Sequence, residues 1–162
     1  MATARVFSFE RELWETLDLV PLTVRRKLDL AELKLSLAGW KGLSLDDRRA
    51  LRDAEVEEDA GAFTAALRAG AERCGARLEP LPLPEGGPPW RGAAVPDPVR
   101  ARLAELGAQL DAPAWGALDD EARYVLFQLA GKRRDPERFA SAAGELGIGL
   151  IPARAGDKAP SS

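Results

Sequence analysis

Histidine is absent from the 162 residues, and cysteine occurs once, at Cys74. Without histidine there is no imidazole base for a serine or cysteine nucleophile, and no His-ligated zinc. A single cysteine makes neither an internal disulfide nor a Cys-rich metal site. An excess of one charge is lacking too. There are 23 basic and 26 acidic residues, for a net charge of -3. The balance holds in each half, with 12 basic and 14 acidic groups over residues 1–75 and 11 and 12 over residues 76–162. A nucleic-acid reader needs a basic surplus, so that partner class is disfavoured. No apolar run is long enough for a membrane-spanning helix, so no membrane partner is expected. Met1 to Phe9 has no basic stretch followed by an apolar one, which argues against a secretory signal. Together with the lone free thiol, this leads us to expect a cytoplasmic protein.

What is present suits a folded domain: 46% hydrophobic and 30% charged residues in a chain of one-domain length. Apolar residues recur at three and four. Phe9, Leu13 and Leu17 do so, as do Val24, Leu28 and Ala31, then Phe63, Leu67, Gly70, Ala71 and Cys74. Val99, Leu103 and Leu106 repeat the spacing, followed by Ala122, Val125, Leu126 and Leu129, and by Phe139, Ala142, Ala143 and Leu146. This is helical periodicity, and the one alternating stretch, Leu33 to Leu37, is short enough for an extended connector. Helix boundaries are marked as well. Ser44 precedes Asp47 by three, Asp97-Pro98 and Asp135-Pro136 pair a cap with proline, and Gly107 and Gly131 offer left-handed stops. Lys132, Arg133 and Arg134 would favour a helix C-terminus. Residues 78–92 hold five prolines and Gly86-Gly87, the composition of a linker. Residues 152–162 are small and polar, and we expect a disordered tail there.

A repeat at an offset of 75 residues organises the chain. Val20-Pro21 matches Val95-Pro96, Val24-Arg25 matches Val99-Arg100, and Leu28 matches Leu103. Leu35, Trp40, Leu43, Arg48 and Leu51 match Leu110, Trp115, Leu118, Arg123 and Leu126. Lys27 with Arg102 and Asp46 with Glu121 are like for like. The expectation is an all-α fold: one compact helical domain over residues 1–151. It comprises two pseudo-repeated helical units, about 20–75 and 95–148, joined by the Pro/Gly-rich linker. Gly107 falls opposite Glu32, so the first unit has to end its helix without glycine, with Glu32 or Leu33 in a less favourable conformation.

The stretch Phe7 to Glu10, then Val20 to Asp29, Leu33 to Leu35, Trp40 and Leu43-Ser44, resembles the nitrate reductase associated protein family. Val95-Pro96, Val99, Leu110, Trp115 and the segment Arg123 to Leu129 resemble its second half. The resemblance implies a non-enzymatic accessory or maturation factor of assimilatory nitrate reduction, with nitrate reductase as its partner. It supplies no catalytic residues to transfer, and no cofactor is expected. A carrier for a molybdenum-cofactor-type ligand is the alternative. Two positions depart from the pattern: Glu32 stands where members tend to have glycine, and Arg-Asp-Ala-Glu-Val follows Leu51 where a Pro-Cys pair is expected.

Individual residues divide between chemistry and packing. Cys74 lies on the stripe of Phe63 and Leu67 and is read as a buried small hydrophobe rather than a reactive thiol. Asp46-Asp47 and Asp119-Asp120-Glu121 sit where carboxylates stabilise first helical turns. Trp40 and Trp115 read as equivalent core anchors. Trp90, inside the Pro/Gly run, either pins that segment or meets a partner. Arg25, Arg48, Arg100 and Arg123 read as members of semi-buried ion pairs, with an anionic ligand as the other possibility. Arg26, Lys27 and Lys34 flank the most family-like block and are expected on its exposed side. With Trp90 they are the candidate partner-binding residues. The oligomeric state is left open.

Overall fold

The computed structural model describes residues 6–54, 56, 60–131 and 136–148. The chain divides into two compact units, Met1–Gly87 and Pro88–Ser162. The described residues are mainly helical, as the periodicity requires, with nine α-helices among them and one two-stranded sheet.

In unit 1 a 3-10 turn leads into α1 (Arg11–Thr16), followed by α2 (Leu22–Leu30), β1 (Leu33–Leu35), α3 (Leu37–Gly42), α4 (Leu45–Asp53), α5 (Gly61–Cys74) and β2 (Leu78–Pro80). α1 stops because Leu17 turns left-handed, at φ 56. α2 has no capping side chain on its own N-cap, Pro21. Glu10, itself buried, reaches across so that its Oε2 accepts from Leu22 N at 2.9 Å. Ser36 and Ser44 cap α3 and α4, their hydroxyls accepting from Gly39 N and Asp47 N. The core gathers Leu17, Val24, Leu28, Trp40, Leu51, Phe63 and Leu67. Gly70 lets α5 approach α4 closely, since a Cβ there would stand 3.3 Å from Asp47 and Leu43.

β1 and β2 pair antiparallel, Leu33 with Pro80 and Leu35 with Leu78. Glu32 enters β1 at φ 58, the unfavourable conformation that the missing glycine forces. Its backbone carbonyl accepts from Leu81 N at 2.9 Å and its Oε1 from Leu83 N at 3.2 Å.

Unit 2 opens with a 3-10 turn over Pro89–Arg91, then α6 (Asp97–Glu105), α7 (Ala112–Ala117), α8 (Asp120–Ala130) and α9 (Pro136–Glu145). Each of these four helices starts 75 residues after its counterpart among α2 to α5. The caps recur at the same offset: Asp111 accepts from Ala114 N and Asp119 from Ala122 N. Gly107 holds φ 70 where unit 1 has Glu32. Its buried residues include Trp90, Val99, Leu103, Trp115, Tyr124, Val125, Leu126, Leu129 and Phe139.

Two boundary expectations are corrected. α6 begins at Asp97 rather than after it, so Pro96 is the N-cap, and Asp97 pairs with Arg100 instead of capping. Gly131 ends α8 at φ -78, in the right-handed region, so no left-handed stop is used there. Within 78–92, residues 78–80 form a strand and 89–91 a 3-10 turn. The expectations for Lys132 to Asp135 and for the tail 152–162 lie outside the described residues.

Candidate partner surface

Two of the four candidate partner residues, expected to be exposed, are buried. Arg26 and Lys27 are 4% and 3% exposed. α2 is enclosed on nearly every side, with Leu22, Thr23, Val24 and Leu28 buried alongside them. Lys27 Nζ donates to Leu51 O at 3.2 Å and Arg52 O at 2.6 Å, so its charge meets the carbonyls at the C-terminal end of α4. Positive charge is favoured at that end of a helix. Arg102, at the matching place in unit 2, does the same through Nε to Ala130 O at 3.2 Å. The rim-charge role expected of Arg26 and Lys27 therefore gives way to burial. Lys34 is exposed, at the outward position of β1, and its cross-strand partner is Glu79.

Trp90 is also buried, at 2% exposure, so it does not await a partner. Its Nε1 donates to Asp120 Oδ1 at 2.9 Å. Its ring meets Tyr124 edge-on at 4.8 Å and Phe127 at 6.2 Å. Arg91 forks onto the same carboxylate at 2.6 and 2.9 Å, and this hydrogen bonding holds its guanidinium above its ordinary pKa. The Trp90-Arg91 end of the Pro/Gly-rich segment is thus pinned to α8.

Cys74 is exposed, against the expectation of burial, because α5 ends there and the apolar stripe has left the core. The repeated arginines do not form the expected semi-buried ion pairs. Arg25 and Arg100 are exposed. Arg48 binds carbonyls instead of carboxylates: Nε to Leu43 O at 3.1 Å, Nη1 to Leu17 O at 3.2 Å and Nη2 to Lys41 O at 2.7 Å. Trp40 Nε1 donates to that same Leu17 O at 2.8 Å. Trp40 and Trp115 are both fully buried, as expected of core anchors. In unit 2, however, Trp115 Nε1 and Arg123 Nε are buried without an acceptor.

The acidic pairs behave as helix-start groups. Asp47 accepts from Arg73 at 2.5 and 3.3 Å, and that bond, with help from Ser44, holds its carboxyl below the usual range. Arg52 does the same for Asp53 while its Nη1 donates to Trp14 O and its guanidinium covers the Trp14 ring at 5.4 Å. Among the described residues no group of three or more His, Cys, Asp or Glu side chains is placed to hold a metal. None of the described helices is long and apolar enough to cross a membrane.

The charge pattern gave no hint of four exposed leucines: Leu19, Leu37, Leu45 and Leu81 are 41–50% exposed, all in unit 1. Leu37 and Leu45 each follow a capping serine, so the Ser-Leu pairs at 36–37 and 44–45 were the available signal.

No curated protein and no solved structure matches the chain. The sequence model of one family does, over residues 6–146, nearly the whole of the described structure. The chain therefore belongs to the conserved nitrate reductase-associated protein family.

Proposed function

We propose that this protein is a non-enzymatic accessory or maturation factor of assimilatory nitrate reductase and acts by protein–protein contact. Family membership over residues 6–146 carries the reading. The contact face lies on unit 1, around Lys34 and Leu37. Three observations support this placement. All four exposed large apolar side chains among the described residues belong to unit 1. Lys34 remains exposed after Arg26 and Lys27 are withdrawn. The most family-like block, from Val20 to Asp29, lies in the same unit. Exposed large apolar side chains, with charged residues among them, suit a partner surface. The shared 75-residue offset of the helix starts supports reading the chain as two related units within one domain.

Affinity capture from nitrate-grown cells tests the function. Nitrate reductase is expected in stoichiometric amount, and Lys34→Glu combined with Leu37→Ser is expected to weaken its capture without moving the melting temperature. Cys74→Ala is expected to capture normally. A pterin that co-purifies with the chain in the absence of reductase would overturn this reading in favour of the carrier.

A further inference from the structure

Unit 1 follows its last helix with a strand. α5 stops at Gly75, φ 72, where Ala76 N donates to Ala71 O at 2.9 Å, and the chain returns as β2 along β1. Unit 2 begins the same ending. α9 is followed by Gly147 at φ 74, and Ile148 N donates to Ala143 O at 3.1 Å. Both are left-handed glycine stops of a helix. The sequence repeats beyond the stop, now at an offset of 72: Gly75, Leu78 and Pro80 match Gly147, Leu150 and Pro152. The described residues end at Ile148.

The counterpart of β1, at the offset of 75, is 108–110. Ala108 is buried, Gln109 exposed and Leu110 half-buried, close to the alternation of β1. Ala108 is a bridge residue, yet the described sheet holds only β1 and β2, so its partner is not among them. Leu110 is also less covered than Leu35, which is 8% exposed and faces Leu78. Leu110 borders a cavity of about 420 Å³, whose other walls include Ala114, Leu118, Leu146 and Ile148. The strand counterpart and the exit from α9 are thus walls of one cavity.

We propose that residues 150–152 occupy this groove as a strand antiparallel to 108–110, repeating in unit 2 the ribbon of unit 1. The register transfers with the two offsets. Leu33 faces Pro80 and Leu35 faces Leu78, so Ala108 faces Pro152 and Leu110 faces Leu150. Gln109 and Ile151 take the outward places of Lys34 and Glu79. Three residues lead from the glycine stop to the leucine in both units, so the reach is the same. Proline suits a strand edge, the place that Pro80 holds and Pro152 takes. The proposal rests on the two offsets and is independent of any nitrate reductase partner.

NMR of the full-length chain tests it. Leu81 N donates to Glu32 O, which makes 32 and 81 a hydrogen-bonded pair and leaves 35 and 78 a non-bonded one. Facing residues of the non-bonded kind stand about 4.5 Å apart at Cα, close enough for their α-protons to show an NOE. Leu110 and Leu150 should therefore share an Hα–Hα cross-peak. Leu150→Ala should lower the melting temperature by roughly 5–10 °C. Ile151→Ala, on the outward side, should lower it by less than about 2 °C. A missing cross-peak would overturn the proposal, as would equal shifts for the two variants. A cross-peak that arises only between labelled and unlabelled chains in a mixed sample would also overturn it, because the strand would then come from a second copy.

Discussion

Replacing Arg48 by alanine removes three donors at once, from Leu43 O, Leu17 O and Lys41 O. The first two bonds are part-buried and the third is exposed. A hydrogen bond from a charged donor contributes about 1.5–3 kcal/mol where solvent is excluded. The two part-buried bonds share one side chain and do not add fully, and the exposed bond contributes little. The expected loss is about 3 kcal/mol, or roughly 6–12 °C in Tm for a chain of this length. Arg123 is the control. It holds the matching place in unit 2, but its Nε has no acceptor, so Arg123→Ala should cost about 1 kcal/mol or less. Arg48→Lys separates charge from shape. One ammonium does not span three carbonyls arranged around a planar fork, so lysine should recover less than half of the loss. Urea unfolding of the three variants, followed by tryptophan fluorescence, gives all the numbers. Equal losses for Arg48→Ala and Arg123→Ala would refute the reasoning, as would full rescue by lysine.

Lys27→Glu sets a carboxylate against the Leu51 and Arg52 carbonyls and should lower stability by about 3–5 kcal/mol in denaturant titrations. A variant as stable as the native chain would contradict the burial of Lys27. Trp90→Ala should cost about 3–5 kcal/mol and quench the near-UV signal of the Tyr124 contact, whereas a merely exposed linker tryptophan would change neither. For pH, the Arg73 bond keeps the folded-state pKa of Asp47 below its unfolded value. Its stabilisation is therefore complete above the ordinary aspartate pKa of about 3.9 and fades as the pH falls through the lower folded value. Asp47→Asn should flatten the acid limb of a melting-temperature profile. An unchanged limb would remove Asp47 from the account.

Local signals carried most of the helical architecture. The three- and four-residue spacing marked the helices, and Ser44 marked the start of α4. The absence of glycine at position 32 pointed to a less favourable conformation at Glu32 or Leu33, and Glu32 is the one that turns left-handed, because the demand for φ above zero is local. What stayed hidden depends on distant chain. Lys27 looked like surface because charge is ordinarily solvated, yet its acceptors lie 24 and 25 residues away, on α4. Trp90 could have pinned its segment or met a partner, and Asp120, 30 residues on, decides it. Cys74 continued an apolar stripe in sequence, but where the core stops along α5 is a tertiary fact. The family-like block was legible as a resemblance, whereas the four exposed leucines were indistinguishable from core residues by type.

The two bonds from Leu81 N and Leu83 N to Glu32 fix which way this extended stretch faces. Alternate amides of an extended chain point to opposite sides, so positions 80, 82 and 84 aim theirs away from β1. All three are proline and carry no amide hydrogen. The outer border from 80 to 84 thus offers an incoming strand carbonyls but no outward donors, and a ladder started there finds nothing to accept. A two-stranded ribbon with an open side is otherwise a template for self-association. The prolines that make this stretch look like a linker in the sequence therefore also guard unit 1 against edge-to-edge aggregation. Replacing Pro80, Pro82 and Pro84 together by threonine would restore the donors, and with them the tendency of concentrated protein to form fibrils.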